Sequence, residues 1–125
     1  MYRIFIIDDD RRFVGALTDL FGTLTGIEVV GHAEDEDTAV EWLIDNPTGW
    51  DMAVVDLALG SGSGLRVLSA CRVRQSTQKI AVLSGHLNSA MRRRCEVLGA
   101  NAVFAKDGDI ESILQYCHSA SKARS

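Results

Sequence analysis

The stretch "FIIDDD", residues 5–10, joins an apolar run directly to three consecutive carboxylates, Asp8, Asp9 and Asp10. Close like charges repel, by on the order of 4 kcal/mol per pair at ~4 Å and an effective dielectric of ~20. An apolar run this short, without polar alternation, reads as a strand covered on both faces. Four more runs of the same kind follow: "IEVVG" near Val30, "MAVV" ending at Val55, "IAVL" ending at Leu83 and "AVFA" ending at Ala105. Between them apolar residues recur at steps of three and four, as in Phe13, Leu17, Leu20, Phe21 and Leu24, or Ala39, Val40, Leu43 and Ile44. Such steps mark helices with one buried face. Five strands alternating with five helices predict an α/β fold with right-handed crossovers and a parallel sheet. The expected architecture is a flavodoxin-like, doubly wound (βα)5 domain with strand order 2-1-3-4-5.

The composition agrees with one globular domain: 46% of the 125 residues are hydrophobic and 24% charged. Thirteen Lys and Arg against seventeen Asp and Glu give a formal charge of −4, which argues against general affinity for nucleic acid or anionic membrane. The sequence shows neither a secretory leader nor an apolar run near the ~20 residues of a membrane span, so a cytoplasmic location is expected. Cys71, Cys95 and Cys117 sit apart, each in the apolar phase of a helix, and read as buried reduced thiols. Gly26 and Gly99 close the first and fourth helical patterns. The domain is expected over residues 1–118, with a frayed tail, "SASKARS", over residues 119–125.

Polar residues at the carboxyl ends of strands in an open parallel sheet point into the crevice where ligands bind. Asp8 and Asp9 end the first strand and Asp56 ends the third, its neighbour in the expected order. Three carboxylates gathered there suit a hard cation such as Mg2+, whose charge offsets their repulsion. Ser84 follows the fourth strand and Lys106 the fifth. A hydroxyl and an ammonium facing a carboxylate and a cation are what a phosphoryl group needs, since its transfer is mostly positioning and charge neutralisation. Asp56 is then the candidate nucleophile.

With "IIDDD", "VVDLALGSGSGL", "VLSGH" and "GANAVFAKD" in this order, the chain resembles the receiver domain of two-component response regulators over nearly its whole length. The resemblance implies that Asp9 binds Mg2+ directly and Asp8 mainly through water. It also implies that Asp56 is the phosphoacceptor and a metal ligand, and that the backbone carbonyl of Ala58 is a further ligand. Ser84 would move toward the phosphoryl oxygen, and Lys106 would pair with it. Asp10 fits a cap for the first helix better than a ligand. The implied partners are a histidine kinase or phosphotransfer protein and a downstream protein target, reached by protein contact without nucleic acid. The oligomeric state is open, with a phosphorylation-dependent dimer as one outcome. Two other readings remain: a receiver-like adaptor that is never phosphorylated, and a flavodoxin-like nucleotide or flavin binder using "GSGSG" as a phosphate cradle. The second is weakened because Leu65 stands where a dinucleotide fingerprint needs its third glycine, and no P-loop lysine follows.

Several positions depart from the family pattern. Gly60 replaces a usual proline, and "GSGSG" (residues 60–64) predicts a mobile loop. Gly64 matches the family glycine that starts the third helix. Asp107 stands where a proline commonly follows the lysine. Val103 occupies a position that is often aromatic, and Phe104 faces the other side of the sheet, so no inward-turning ring is expected. His86 lies by the pocket mouth and reads as a solvated loop histidine; His32 and His118 carry no role. Arg92, Arg93 and Arg94 on the fourth helix read as a solvated face, although in receivers the face of the fourth and fifth helices and the fifth strand often meets partners. Trp42 and Trp50 look structural.

Overall fold

The structure is a computed structural model that describes residues 1–59, 62–85, 87–108 and 110–124, with the backbone alone at 62 and 124. The elements in chain order are β1 (Tyr2–Ile7), α1 (Arg11–Gly22), β2 (Ile27–Ala33), α2 (Glu36–Asp45), β3 (Met52–Asp56), β4 (Ala58–Leu59), β5 (Gly62–Ser63), α3 (Gly64–Ala70), β6 (Lys79–Ser84), α4 (Ser89–Val97), β7 (Ala102–Ala105) and α5 (Ile110–Arg124). Five strands form one parallel sheet in the order β2-β1-β3-β6-β7. Numbered by those strands alone, this is the 2-1-3-4-5 order expected for a doubly wound sheet. β4 and β5 pair separately as a small antiparallel hairpin between β3 and α3.

Side chains alternate across each strand, and two cores result. Phe5, Ile7, Val55, Val82 and Val103 meet α2, α3 and α4 through Leu43, Val67, Leu68 and Cys95. Ile4, Ile6, Val54 and Leu83 meet α1 and α5 through Leu17, Phe21, Ile113 and Cys117. Trp42 stacks on Phe5 with ring centroids 3.8 Å apart, and Trp50 is buried, so both are structural as expected. All three cysteines are free and buried; burial pushes the Cys71 thiol up to about 11, which leaves it unreactive at neutral pH.

Side-chain caps set the starts of the helices. Asp10 Oδ1 accepts from the amides of Arg12 and Phe13 at 3.1 and 3.2 Å, as its position before α1 suggested. Asp35 caps α2, Ser63 caps α3 and Asn88 caps α4. Gly26 and Gly99 adopt φ of +84° and +103°, a region that side chains disfavour; Gly99 directly follows the C-cap of α4, whereas α1 already ends at Gly22 and Gly26 serves the turn into β2.

Three expectations are corrected. "IEVVG" is not covered on both faces: β2 is an edge strand in which only Ile27 and Ala33 are buried. The buried residues of α1 are Val14, Leu17 and Phe21, with Phe13 only partly buried against the same core, and Ile44 is 68% exposed on α2. Residues 119–124 are helical rather than frayed. They continue α5 to Arg124, with Ala120 packed on the α1/α5 core and the Ser121 hydroxyl donating to the His118 carbonyl at 2.7 Å.

Candidate functional site

The carboxyl ends of β1, β3, β6 and β7 bring the site together. The Asp8 amide donates to the Ala33 carbonyl at 3.0 Å, extending the β1–β2 ladder by one rung and aiming its side chain over the edge of the sheet. Asp56 closes β3, paired in register with Leu83, so Ser84 lies one step beyond on the neighbouring strand. The Lys106 amide donates to the Ser84 carbonyl at 2.9 Å, which locks the end of β7 to the end of β6. Asp8, Asp56 and Ser84 are buried.

One ammonium serves two carboxylates. Lys106 Nζ lies 2.9 Å from Asp56 Oδ2, 3.0 Å from Asp8 Oδ1 and 2.9 Å from Asp8 Oδ2. Asp56 Oδ1 accepts from the Ala58 amide at 3.1 Å, and Asp8 Oδ1 from the Asp10 amide at 2.9 Å. Among the described residues, Asp8 Oδ2 is buried and accepts no hydrogen bond, while Lys106 lies against it as an ion-pair partner. Asp9 is exposed at the rim, and one oxygen from each of Asp8, Asp9 and Asp56 can lie within 4.8 Å of the others. An all-carboxylate donor set with an under-satisfied buried oxygen fits a hard divalent cation.

The electrostatics follow from this crowding. Burial pushes the Asp8 carboxyl up to about 6, aided by the Asp56 charge and opposed by its bonds from the Asp10 amide and Lys106. Burial also pulls the Lys106 ammonium down, but hydrogen bonds and charges from Asp8 and Asp56 outweigh it and hold the group above its ordinary value. The ammonium sits over the Phe13 ring at 4.9 Å, an attraction on the order of 1 kcal/mol in a part-buried place. Phe13, read from sequence only as part of an apolar stripe, is thus a wall of the site.

The glycine-rich stretch differs from the simple loop expected. Ala58 pairs with Ser63 and Leu59 with Gly62; residues 60 and 61 between them lie outside the described residues, so the predicted mobility does too. Gly64 is the position with no freedom, since a Cβ there would stand 2.4 Å from the Asp56 carbonyl oxygen. Glu36 holds the far side of the hairpin: its Oε2 accepts from the Ser63 amide at 2.6 Å and its Oε1 from Arg66 Nη1 at 2.6 Å. Those hydrogen bonds hold the Glu36 carboxyl below its ordinary value. Nothing in the sequence pattern marked Glu36, because the contact joins α2 to α3.

Val103 belongs to the core beneath α2–α4, whereas Phe104 lies on the opposite face and meets Tyr116 edge-on at 5.6 Å. The two therefore cannot substitute for each other, as the strand alternation implied. His86 lies outside the described residues. His32 is exposed on β2 and lines an open groove of about 530 Å³ that reaches Asp8 past the Arg11–Glu34 ion pair.

The response regulator receiver domain family matches residues 4–118. The chain belongs to that family. This receiver is 34% identical over 113 residues to the acid tolerance regulatory protein ActR of Sinorhizobium medicae, covering 89% of this chain and 55% of that protein. It is 26% identical over 113 residues to the uncharacterized transcriptional regulatory protein YvfU of Bacillus subtilis, covering 90% and 56%. The chain spans about half the length of the curated relatives it matches. A response regulator protein from Burkholderia pseudomallei, solved with a phosphorylated aspartic acid, a calcium ion and citrate, superposes with a TM-score of 0.80 at 28% identity, covering 99% of this chain and 71% of that one. The CheX–CheY–BeF3–Mg complex of Borrelia burgdorferi shares the fold, with a TM-score of 0.84 at 22% identity over 94% and 87% of the two chains. The receiver is a signalling domain, and its acidic cluster at the strand ends is of the kind in which receivers bind Mg2+. Among the described residues, no helix is long and apolar enough to cross a membrane. With one of these relatives named as a transcriptional regulatory protein, the expected independence from nucleic acid finds no support in these comparisons.

Proposed function

We propose that this receiver takes a phosphoryl group onto Asp56 from the phosphohistidine of a histidine kinase or phosphotransfer protein, in the cytoplasm. The observation that carries the reading is the convergence of Asp8, Asp56 and Lys106 within 3.0 Å contacts, with Asp9 in reach of the same point. Asp8, Asp9, Asp56 and the backbone carbonyl of Ala58 would hold Mg2+, which supplies positive charge to the oxygens of the transferring group. An Asp56 carboxylate oxygen forms the new P–O bond as the P–N bond to the donor histidine breaks, and the leaving nitrogen keeps the electron pair. Lys106 pairs with a phosphoryl oxygen, and the Ser84 hydroxyl donates to another. Water later cleaves the acyl phosphate, returning carboxylate and inorganic phosphate.

With Val103 in place of a ring, the altered state passes through residues 84–94. Arg92 Nη1 already donates to the Val103 carbonyl at 3.2 Å and ties α4 to β7. Phosphorylation need only favour one arrangement of this region over another to act as a switch, read by a downstream protein.

Intact mass after treatment with acetyl phosphate and Mg2+ tests the acceptor. The natural chain should gain one phosphoryl group and Asp56→Asn none. Equal uptake by both, or by neither, would overturn the assignment.

A further inference from the structure

α3 and α4 face each other across a groove of about 580 Å³ that is separate from the acidic cluster. Its floor is aliphatic: Leu65 and Leu98 are half-buried and Val97 is 67% exposed. One exposed valine would need no explanation. Here three aliphatic side chains are flanked by guanidinium groups on both walls, Arg66 from α3 and Arg94 from α4. Arg66 is anchored to α2 by Glu36 and Asp37 at 2.6 and 3.1 Å. Among the described residues, no carboxylate pairs with Arg92, Arg93 or Arg94.

Charge is segregated to match. Residues 64–98 hold seven of the thirteen Lys and Arg and, in Glu96, one of the seventeen acids, a formal +6. Six basic and sixteen acidic residues remain elsewhere, a formal −10. Of the seven, Arg66 and Arg94 line the groove, and Arg92 and Arg93 precede Arg94 on α4, so part of the basic excess lies at this face.

We propose that this groove docks a short acidic amphipathic helix of a partner protein, with aliphatic side chains on Leu65, Val97 and Leu98 and carboxylates on Arg94 and its neighbours. A groove between two helices suits this mode, in which apolar anchors at helical spacing set the register and charges set the orientation. A nucleic acid would leave the aliphatic floor without a partner and would bring a long polyanion against the −10 remainder. The surface shares no residue with the phosphoacceptor site, and the proposal does not depend on phosphorylation.

The test is fluorescence anisotropy of the unphosphorylated chain with a labelled synthetic peptide of about sixteen Glu and Leu residues, leucines on one helical face. Saturable binding below about 1 mM is expected. Arg94→Glu should weaken it about tenfold and Val97→Ser about threefold. Arg12→Glu, on the exposed face of α1, should leave it unchanged. Thermal melts of the variants, all at exposed positions, confirm that each is folded. Amide shifts on binding should centre on residues 65–69 and 91–98. No saturable binding, equal binding of a permuted peptide with leucines scattered around the helix, indifference to Val97→Ser, or tighter binding of duplex DNA would each overturn the proposal.

Discussion

The two ends of the parallel sheet both bury charge, and they treat it in opposite ways. At the amino-terminal edge each polar group is matched. Asp51 accepts from the Arg3 amide at 2.7 Å and from its guanidinium at 3.2 and 3.3 Å. Gln78 donates to the Pro47 and Trp50 carbonyls, and Arg74 to those of Gln78 and Gly99 and to Asn101 Oδ1. At the carboxyl-terminal edge two buried carboxylates share one ammonium, and one of their oxygens accepts no hydrogen bond. Balanced charge stabilises a fold, whereas surplus charge is a site that a further cation or an anion-bearing ligand can complete. The contrast separates what holds this receiver together from what makes it responsive.

Breaking the balanced end should cost most. Asp51→Ala strands the Arg3 amide and guanidinium, and urea unfolding should show a loss of about 2–3 kcal/mol, with phosphorylation of the folded fraction unchanged. Asp8→Asn at the other end should do the reverse. Removing a buried charge that Lys106 shares with Asp56 should raise stability by about 1 kcal/mol at pH 7 and abolish Mg2+ binding measured by calorimetry.

A pH series sharpens the same contrast. Because the folded Asp8 carboxyl titrates at about 6, above its ordinary 3.8, the folded state binds the extra proton between those values. Without divalent cation, this group's contribution should therefore increase stability as pH falls from about 7 toward 5, and Asp8→Asn should remove that component. Saturating Mg2+ should also remove it, since the ion displaces the proton. A natural chain and an Asp8→Asn variant with parallel stability curves over that window would refute the coupling.

Two smaller effects concern how the unbalanced end is shaped. Phe13→Leu keeps an apolar wall but removes the ring beneath Lys106; the phosphorylation rate with acetyl phosphate should fall about threefold with Mg2+ affinity unchanged, and Phe13→Tyr should restore it. Hydrogen exchange in the presence of beryllofluoride and Mg2+ should change by a few-fold over the described part of residues 84–94. Unchanged protection there would rule out α4 as the route of the signal.

Much of this architecture could be read directly. Strand ends at Asp8, Asp56, Ser84 and Lys106 followed from where apolar runs stop, because a run of that kind reports its own burial. In the first helix Leu17 and Phe21 are buried as the stripe implied, but Val14 is buried and Phe13 only partly so, because periodicity locates a stripe while packing on the sheet chooses its centre. The exposure of β2, whose edge place the expected strand order already contained, and the helical continuation beyond Ser119 were missed for a related reason: a strand's cover and a terminal helix's support come from neighbours remote in sequence.

Local order along the chain was sufficient for the elements, their parallel arrangement and the placing of Asp8, Asp56 and Lys106 at or just beyond strand ends, since period, cap and turn chemistry act over a few residues. Tertiary structure alone decided that one ammonium would bridge Asp8 and Asp56, that Phe13 would lie beneath it, that Glu36 would grip the hairpin, and that arginines of α3 and α4 would flank an aliphatic groove. Each of these joins segments far apart in the chain, and their meeting is set by the closing of two cores around a twisted sheet, a constraint no short stretch of sequence contains.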